Sequence, residues 1–395
     1  MQPWLLEPGC RYLNHGSFGA CPRPVLEAQR GVQERMEANP MRFFLRELEP
    51  GLDRARAAVG ALVGARPGDL VFVPNATHAV NAVLRSFPLS PGDELVALDQ
   101  SYPACLNALR FAAGERGARV ALARVPFPLA SADQVVAAVL AALGPRTRLA
   151  LLDHVTSPTG LVLPLERLVP ELEGRGVACL VDGAHALGML PLALDRLGAS
   201  YYTANAHKWL CAPKGAAILH VRADRQAGVR PLAISHGAGA PRADRGRFLA
   251  EFDWVGTDDP SPYLVLPECI AWLQGLDPGG LAGLQARNHA LVLAGRRRLL
   301  TALGLPPPCP EEMLGALASV PLPPAPGAVA PGPLGLDGLQ GALAARGFEV
   351  PVFPWPAPPA RVLRISAQAY NSLEDYALLA AALGACLAAE RGGAR

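Results

Sequence analysis

From about residue 50 onward, short apolar runs alternate with longer amphipathic ones. Leu70–Val73, Glu94–Leu98, Arg119–Val125, Arg148–Asp153, Val177–Val181 and Ala216–Val221 read as strands. Between them His78–Ser86, Ala104–Ala113, Ala132–Leu143 and Leu165–Glu173 read as helices, with Ser131 in the place of an N-cap. The strand runs lack polar alternation, as expected when helices cover both faces of a sheet. Repeated βα units predict a mostly parallel sheet with right-handed crossovers. Such sheets bind ligands beyond the carboxyl ends of their strands, so the residues just after each run are where chemistry is sought.

Beyond the Gly275-Leu-Asp-Pro-Gly-Gly280 stretch the pattern changes. A basic helix around Arg287–Leu300 precedes a proline-rich tract from Pro306 to Pro333, which Leu314–Pro321 interrupts as one strand among surface loops. Arg361–Ser366 reads as a strand and Leu373–Glu390 as a helix. The expected organisation is an N-terminal segment (1–25) near the active site, a large domain (26–275) and a smaller α+β domain (276–395).

Composition narrows the function classes. Charged residues at 18% and hydrophobics at 51% exclude a disordered chain. A net charge of +2 gives no case for nucleic acid or a membrane surface as partner. The N-terminus lacks the basic and apolar regions of a signal peptide, and Ala377–Ala389 is too short to span a bilayer, so a cytoplasmic protein is expected. Eight scattered cysteines without a C-x-x-C pair suit small buried hydrophobes, with no metal framework. Of 36 basic residues only two, Lys208 and Lys214, are lysine. Any mechanism that needs a lysine therefore has two candidates.

Asp182 follows the buried run Val177–Val181 and precedes Gly183-Ala-His185; twenty-six residues on comes Lys208, in Asn205-Ala-His207-Lys208-Trp209. Alone, the first is an ordinary capping turn and the second a solvated lysine. Together, a carboxylate at a strand end and a lysine one βα unit later are what pyridoxal phosphate (PLP) requires. The amine forms a Schiff base with the cofactor aldehyde, and the carboxylate keeps the pyridine nitrogen protonated. Lys214, in Ala-Pro-Lys-Gly before the last strand of the series, supports that turn or faces solvent.

Seven motifs in order carry a family resemblance that spans nearly the whole chain. They run from Tyr12-Leu-Asn-His-Gly-Ser-Phe-Gly19 through Asn75-Ala-Thr-His78, Val155-Thr-Ser-Pro-Thr-Gly160, Val181-Asp-Gly-Ala-His185, Ala206-His-Lys-Trp209 and Trp254-Val-Gly-Thr-Asp258 to Leu363-Arg-Ile-Ser-Ala-Gln-Ala-Tyr-Asn371. The chain resembles a class V, fold-type-I PLP enzyme of the aminotransferase superfamily, within it the isopenicillin N epimerase-like group. That resemblance implies an α/β fold: a large domain with a mostly parallel seven-stranded sheet flanked by helices, and a smaller α+β C-terminal domain.

The resemblance also implies roles. Lys208 would be the Schiff-base lysine, Asp182 the partner of the pyridine nitrogen, and His185 a donor to the cofactor's phenolic oxygen. Ala76 and Thr77 would hold the phosphate at a helix N-terminus, with Asn205, His207 and Thr257 on the same group. Thr257 would come from the neighbouring subunit, which implies a homodimer with shared sites. Tyr102 would lie against the cofactor face, and Thr156 and Ser157 would flank its ring. Arg364 would bind the α-carboxylate of an amino-acid substrate, since a guanidinium offers two parallel donors. Asn14 and His15 would close over the substrate; His236 is a pocket residue with no assigned role.

The reaction stays open at this level. Lys208 would take the Cα proton. Return of a proton from the far face, with Tyr102 or His15 as candidate acid, gives an epimerase. Expulsion of sulfur gives a C–S lyase, and proton transfer to the cofactor an aminotransferase. A cysteine desulfurase would need a mobile nucleophile, for which Cys309 in Pro-Pro-Pro-Cys-Pro is the nearest residue. A PLP-fold protein serving only as a binding subunit is a further alternative, whereas an NAD dehydrogenase lacks its G-x-G-x-x-G.

Overall fold

The computed structural model describes residues 3–239, 242–326 and 337–393. Seven strands form the main sheet: β1 (Leu70–Val73), β2 (Glu94–Leu98), β3 (Arg119–Ala123), β4 (Thr147–Asp153), β5 (Ala178–Asp182), β6 (Tyr201–Asn205) and β7 (Ala217–Val221). Their order is β1-β7-β6-β5-β4-β2-β3, with β7 antiparallel to both its neighbours and every other pairing parallel. Helices Ala76–Ser86, Pro103–Gly114, Ala132–Ala141 and Leu165–Gly174 connect the strands. β1, β2, β5, β6 and β7 are buried throughout, which is why their sequences show no alternation. β3 lies at the edge, is half-exposed, and stops two residues short of the expected Val125.

Three local expectations are corrected. Tyr201–Asn205, which the apolar pattern assigns to no element, is a central strand. Three of its side chains are paired: Thr203 Oγ1 donates to the Ile218 carbonyl at 2.8 Å, Tyr202 OH meets His154 Nδ1 at 2.7 Å, and Asn205 Oδ1 accepts from Ala76 N–H at 2.9 Å. Ser131 stands at the N-cap position, but its hydroxyl makes no capping bond; Gln134 Oε1 instead reaches back to Ala130 N–H at 2.7 Å. Two long helices, Arg23–Ala38 and Leu48–Val63, precede the βα series and were absent from the sequence reading.

The C-terminal part has a three-stranded antiparallel sheet of β8 (Leu317–Leu322), β9 (Val352–Pro354) and β10 (Arg361–Ser366), with β10 in the middle. Helices Gly280–Leu303 and Leu373–Gly393 pack together on it. Of the proline-rich tract, residues 327–333 lie outside the described residues. The N-terminal segment joins this half: Arg11–Tyr12 pairs in parallel with Phe348–Glu349, and Ser366 N–H donates to the Leu13 carbonyl at 2.9 Å. No helix among the described residues is long and apolar enough to cross a membrane.

Candidate active site

The carboxyl ends of β2, β4, β5 and β6 open on one crevice, and the turn after β6 brings Lys208 to it. That turn is tightly specified. Ala206 N–H and His207 N–H both donate to the Ala216 carbonyl at the start of the return strand, at 2.9 and 3.1 Å. Cys211 N–H closes back on the Lys208 carbonyl at 3.0 Å, with Cys211 in the left-handed region at φ 59°. Trp209 is buried beneath it. Among the described residues Nζ of Lys208 meets a single group, His185 Nε2, at 3.4 Å. Burial lowers this amine to about 8; the nearby Asp182 opposes the shift and Arg364 adds to it.

His185 is buried, and its imidazole is driven well below the ordinary histidine range by burial first and by Lys208 and Arg364 after it. Trp209 Nε1–H points at its Nδ1 from 3.5 Å. That assigns the ring proton to Nε2, the side that faces Lys208. Asp182 ends β5, where its Oδ1 accepts from Ala184 N–H at 3.0 Å and its Oδ2 from the Cys105 thiol at 3.1 Å. The next residue has to be glycine, because a Cβ at Gly183 would lie 2.3 Å from Tyr202 OH.

The opposite end of the crevice begins at helix Ala76–Ser86. Asn75 caps it by accepting from His78 N–H at 2.9 Å, and Asn205 takes Ala76 N–H at 2.9 Å. Of the three leading N–H groups only that of Thr77, with its hydroxyl, is left for an anion. Ala76 and Asn205 are therefore brought together, but onto each other. His207 Nδ1 lies against the Ala216 carbonyl at 3.0 Å, and burial lowers its ring to about 4. Thr257 lies in the exposed stretch after helix Arg247–Phe252, and no hydrogen bond joins it to Thr77 among the described residues.

Arg364, on β10, crosses from the C-terminal half. It is 1% exposed, and its partners are all neutral: the Ser157 carbonyl at 2.6 Å, Ser17 Oγ at 3.0 Å and Asn14 Oδ1 at 3.3 Å, with Phe353 stacked 5.0 Å from the guanidinium. Burial lowers it to about 10. Tyr102 stands at the mouth, 44% exposed, as the first residue before helix Pro103–Gly114.

Two expected residues are placed elsewhere. The Thr156 hydroxyl is consumed within its own loop, bonded to Thr159 Oγ1 at 2.6 Å and accepting from Leu161 N–H at 2.8 Å, so the capping role prevails. His15 is fully buried behind the lysine rather than over the crevice. Its Nε2 meets the Lys208 carbonyl and its Nδ1 Tyr370 OH, both at 2.9 Å, which leaves neither nitrogen for a substrate. His236 is exposed on a short 3₁₀ turn. Lys214 Nζ donates to the Gly19 carbonyl at 2.8 Å, tying its turn to the N-terminal loop. Cys309 is buried and held by Arg296 Nη1 at 3.2 Å, which fixes the residue a mobile nucleophile would have to be.

Sequence reasoning missed Cys105, Ser17 and Asp153. Cys105 left no signal, since a thiol inside an apolar helix reads as packing. Ser17 lay within the quoted N-terminal motif. Asp153 ends a strand run as Asp182 does, and that was signal enough.

Comparison with known proteins decides the family. The sequence profile of the Aminotransferase class-V family matches residues 11–299. The chain belongs to that family. It is 38% identical to an isopenicillin N epimerase of Amycolatopsis lactamdurans, over 96% of this chain and 95% of that protein. It is also 37% identical to a putative L-cysteine desulfhydrase of Oryza sativa subsp. japonica, over 80% of this chain and 68% of that one. Among solved structures, the cystine C–S lyase C-DES with its product cysteine persulfide superposes with a TM-score of 0.78 at 22% identity, covering 95% of this chain and 97% of that one. At that identity it speaks for the fold alone, PLP fold type I. This class V protein is a PLP-dependent enzyme. The crevice fits the cofactor: a half-buried amine with no carboxylate bonded to it among the described residues, and a buried carboxylate one strand away.

Proposed function

We propose that this enzyme takes the Cα proton from an amino acid and returns one to the opposite face, as an amino-acid epimerase of the isopenicillin N epimerase-like group. Arg364 carries the reading. A buried guanidinium surrounded only by neutral oxygens is expensive to maintain, and a substrate α-carboxylate would complete it with two parallel hydrogen bonds. PLP, when bound, supplies the electron sink that makes the Cα proton acidic. Asp182 would hold the ring nitrogen, His185 would donate from Nε2 to a cofactor oxygen, and Thr77 with His207 would hold the phosphate. Lys208, with its amine lowered to about 8, can take a proton at neutral pH and give it back. The return from the far face falls to Tyr102, because His15 is withdrawn.

That withdrawal also favours a second reading, a C–S lyase acting on a cysteine derivative. Elimination needs only Lys208 at Cα, and a departing sulfur at the open mouth can take its proton from Tyr102 or water. The desulfhydrase relatives support this alternative as the epimerases support the first. A class V aminotransferase would use the same residues. We further read the exposed Thr257 as a phosphate contact given to a second copy, hence a homodimer, and the location as cytoplasmic.

Incubation of the PLP-loaded enzyme in heavy water with L-amino acids and cysteine conjugates, followed by NMR, tests the proposal. Deuterium at Cα with inversion supports the epimerase. Pyruvate with ammonia replaces it by the lyase, and a keto acid without ammonia by the aminotransferase.

A further inference from the structure

Two carboxyls, not one, end on the cofactor side of the sheet. Asp153 closes β4 at the position paired with Asp182 of β5. Residues paired across neighbouring strands project from the same face, so the two side chains share it. They are 3% and 4% exposed. The start of helix Pro103–Gly114 caps both: Tyr102 N–H donates to Asp153 Oδ1 at 3.3 Å, and the Cys105 thiol to Asp182 Oδ2 at 3.1 Å. Ser101 Oγ lies 2.7 Å from Asp153 Oδ2 and itself accepts from Leu98 N–H at 3.2 Å. His154 offers Asp153 no positive charge, because burial lowers its imidazole to about 4, and its Nδ1 lies against Tyr202 OH at 2.7 Å.

We propose that Asp153 is a positioning residue for the cofactor anchor: its carboxyl keeps a proton and so confines the negative charge beneath the ring nitrogen to Asp182. Two carboxyls in one dry pocket do not both ionise, and the surrounding charges decide which one does. The groups facing the pair are Cys105 and Tyr102 from the helix, with Lys208 and Arg364 beyond them. Lys208 acts on Asp182, and its positive charge selects Asp182 as the anion. Asp153 is hydrogen-bonded by a hydroxyl and a backbone amide and by no cation among the described residues. Burial first, and the neighbouring Asp182 second, push it up to about 8. Its neutral form also has an acceptor for its proton, since Ser101 Oγ can accept as well as donate.

The inference rests on PLP as cofactor and is independent of the reaction. Infrared difference spectra of cofactor-free wild type against Asp153→Asn test it. At neutral pH the wild type should show the carbonyl stretch of a protonated carboxylic acid, lowered in heavy water, absent from the variant and lost at a pH of about 10. In titrations with PLP, the neutral isostere D153N should bind within about threefold of wild type. Asp182→Asn supplies a test that leaves Asp153 untouched: relieved of its neighbour, Asp153 should lose its proton at lower pH, and the same band should vanish earlier. Absence of the band from neutral wild type overturns the proposal. So does a band that D182N leaves unmoved, or a folded D153N that binds PLP tenfold or more weakly.

Discussion

Lys208 and Arg364 approach one crevice from the two halves of the chain and are held in different ways. Lys208 sits in a turn fastened to the return strand by two bonds to the Ala216 carbonyl, and its neighbours Asp182 and His185 come from the adjacent βα unit. Arg364 depends on distant segments. Asn14 lies 350 residues away in sequence and Ser157 lies 207 away. The reactive centre is thus fixed by local topology, whereas the recognition centre is assembled from three segments and should be the more easily retuned. Lys214 and His15 connect the two, since both reach between the N-terminal loop and the lysine turn.

Substitutions separate these regions. The largest loss is expected for Lys208→Ala, where turnover should fall by at least about 10²- to 10⁴-fold, the range of a positioned acid–base group. Lys208→Arg should be no better, because a guanidinium stays protonated. The amine lowered to about 8 adds a pH test. Its free fraction falls about tenfold per unit below that value. Capture of PLP by cofactor-free protein, followed by its visible band, should therefore accelerate up to a pH of about 8 and then level off. Arg364→Gln comes next. Loss of a charge-assisted carboxylate contact, about 1.5–3 kcal/mol, should raise KM roughly 10- to 150-fold while PLP binding holds. Equal loss of PLP binding would merge the two regions that the contacts keep apart.

His15→Leu should act on stability more than on recognition. It strands the Tyr370 hydroxyl and leaves the Lys208 carbonyl with only the Cys211 N–H, a loss of about 1–3 kcal/mol in urea unfolding. Lys214→Met should give the smallest effect. Its flank is exposed and it donates one bond to Gly19, so a drop in Tm of no more than about 2 °C is expected. A fall in turnover comparable to that of Lys208→Ala would make Lys214 the functional lysine and reverse the assignment.

Much of this was legible in the sequence because the βα series writes itself in uninterrupted apolar runs. Asp182 falls directly after such a run, where topology puts ligands. β6 was not legible, since Tyr-Tyr-Thr-Ala-Asn looks polar until the Tyr202 and Thr203 hydroxyls and the Asn205 amide oxygen find their partners. The direction of β7 follows from the tight turn at Lys208, which brings the chain straight back without a crossover helix. His15 misled for a related reason: a histidine between glycine-rich turns looks mobile, and only the packing of Trp209 and Tyr370 shows it to be a buried brace. Asn205 and Ala76 meet at one end of the crevice, and their bond to one another is a tertiary fact without local trace.

The central claim is that Lys208, of the two lysines, holds the cofactor. Borohydride reduction of the PLP-loaded enzyme followed by peptide mapping tests it directly. A single pyridoxyl-labelled peptide containing Lys208 is predicted. Label on Lys214, or a preparation that binds PLP with no lysine labelled, would contradict it.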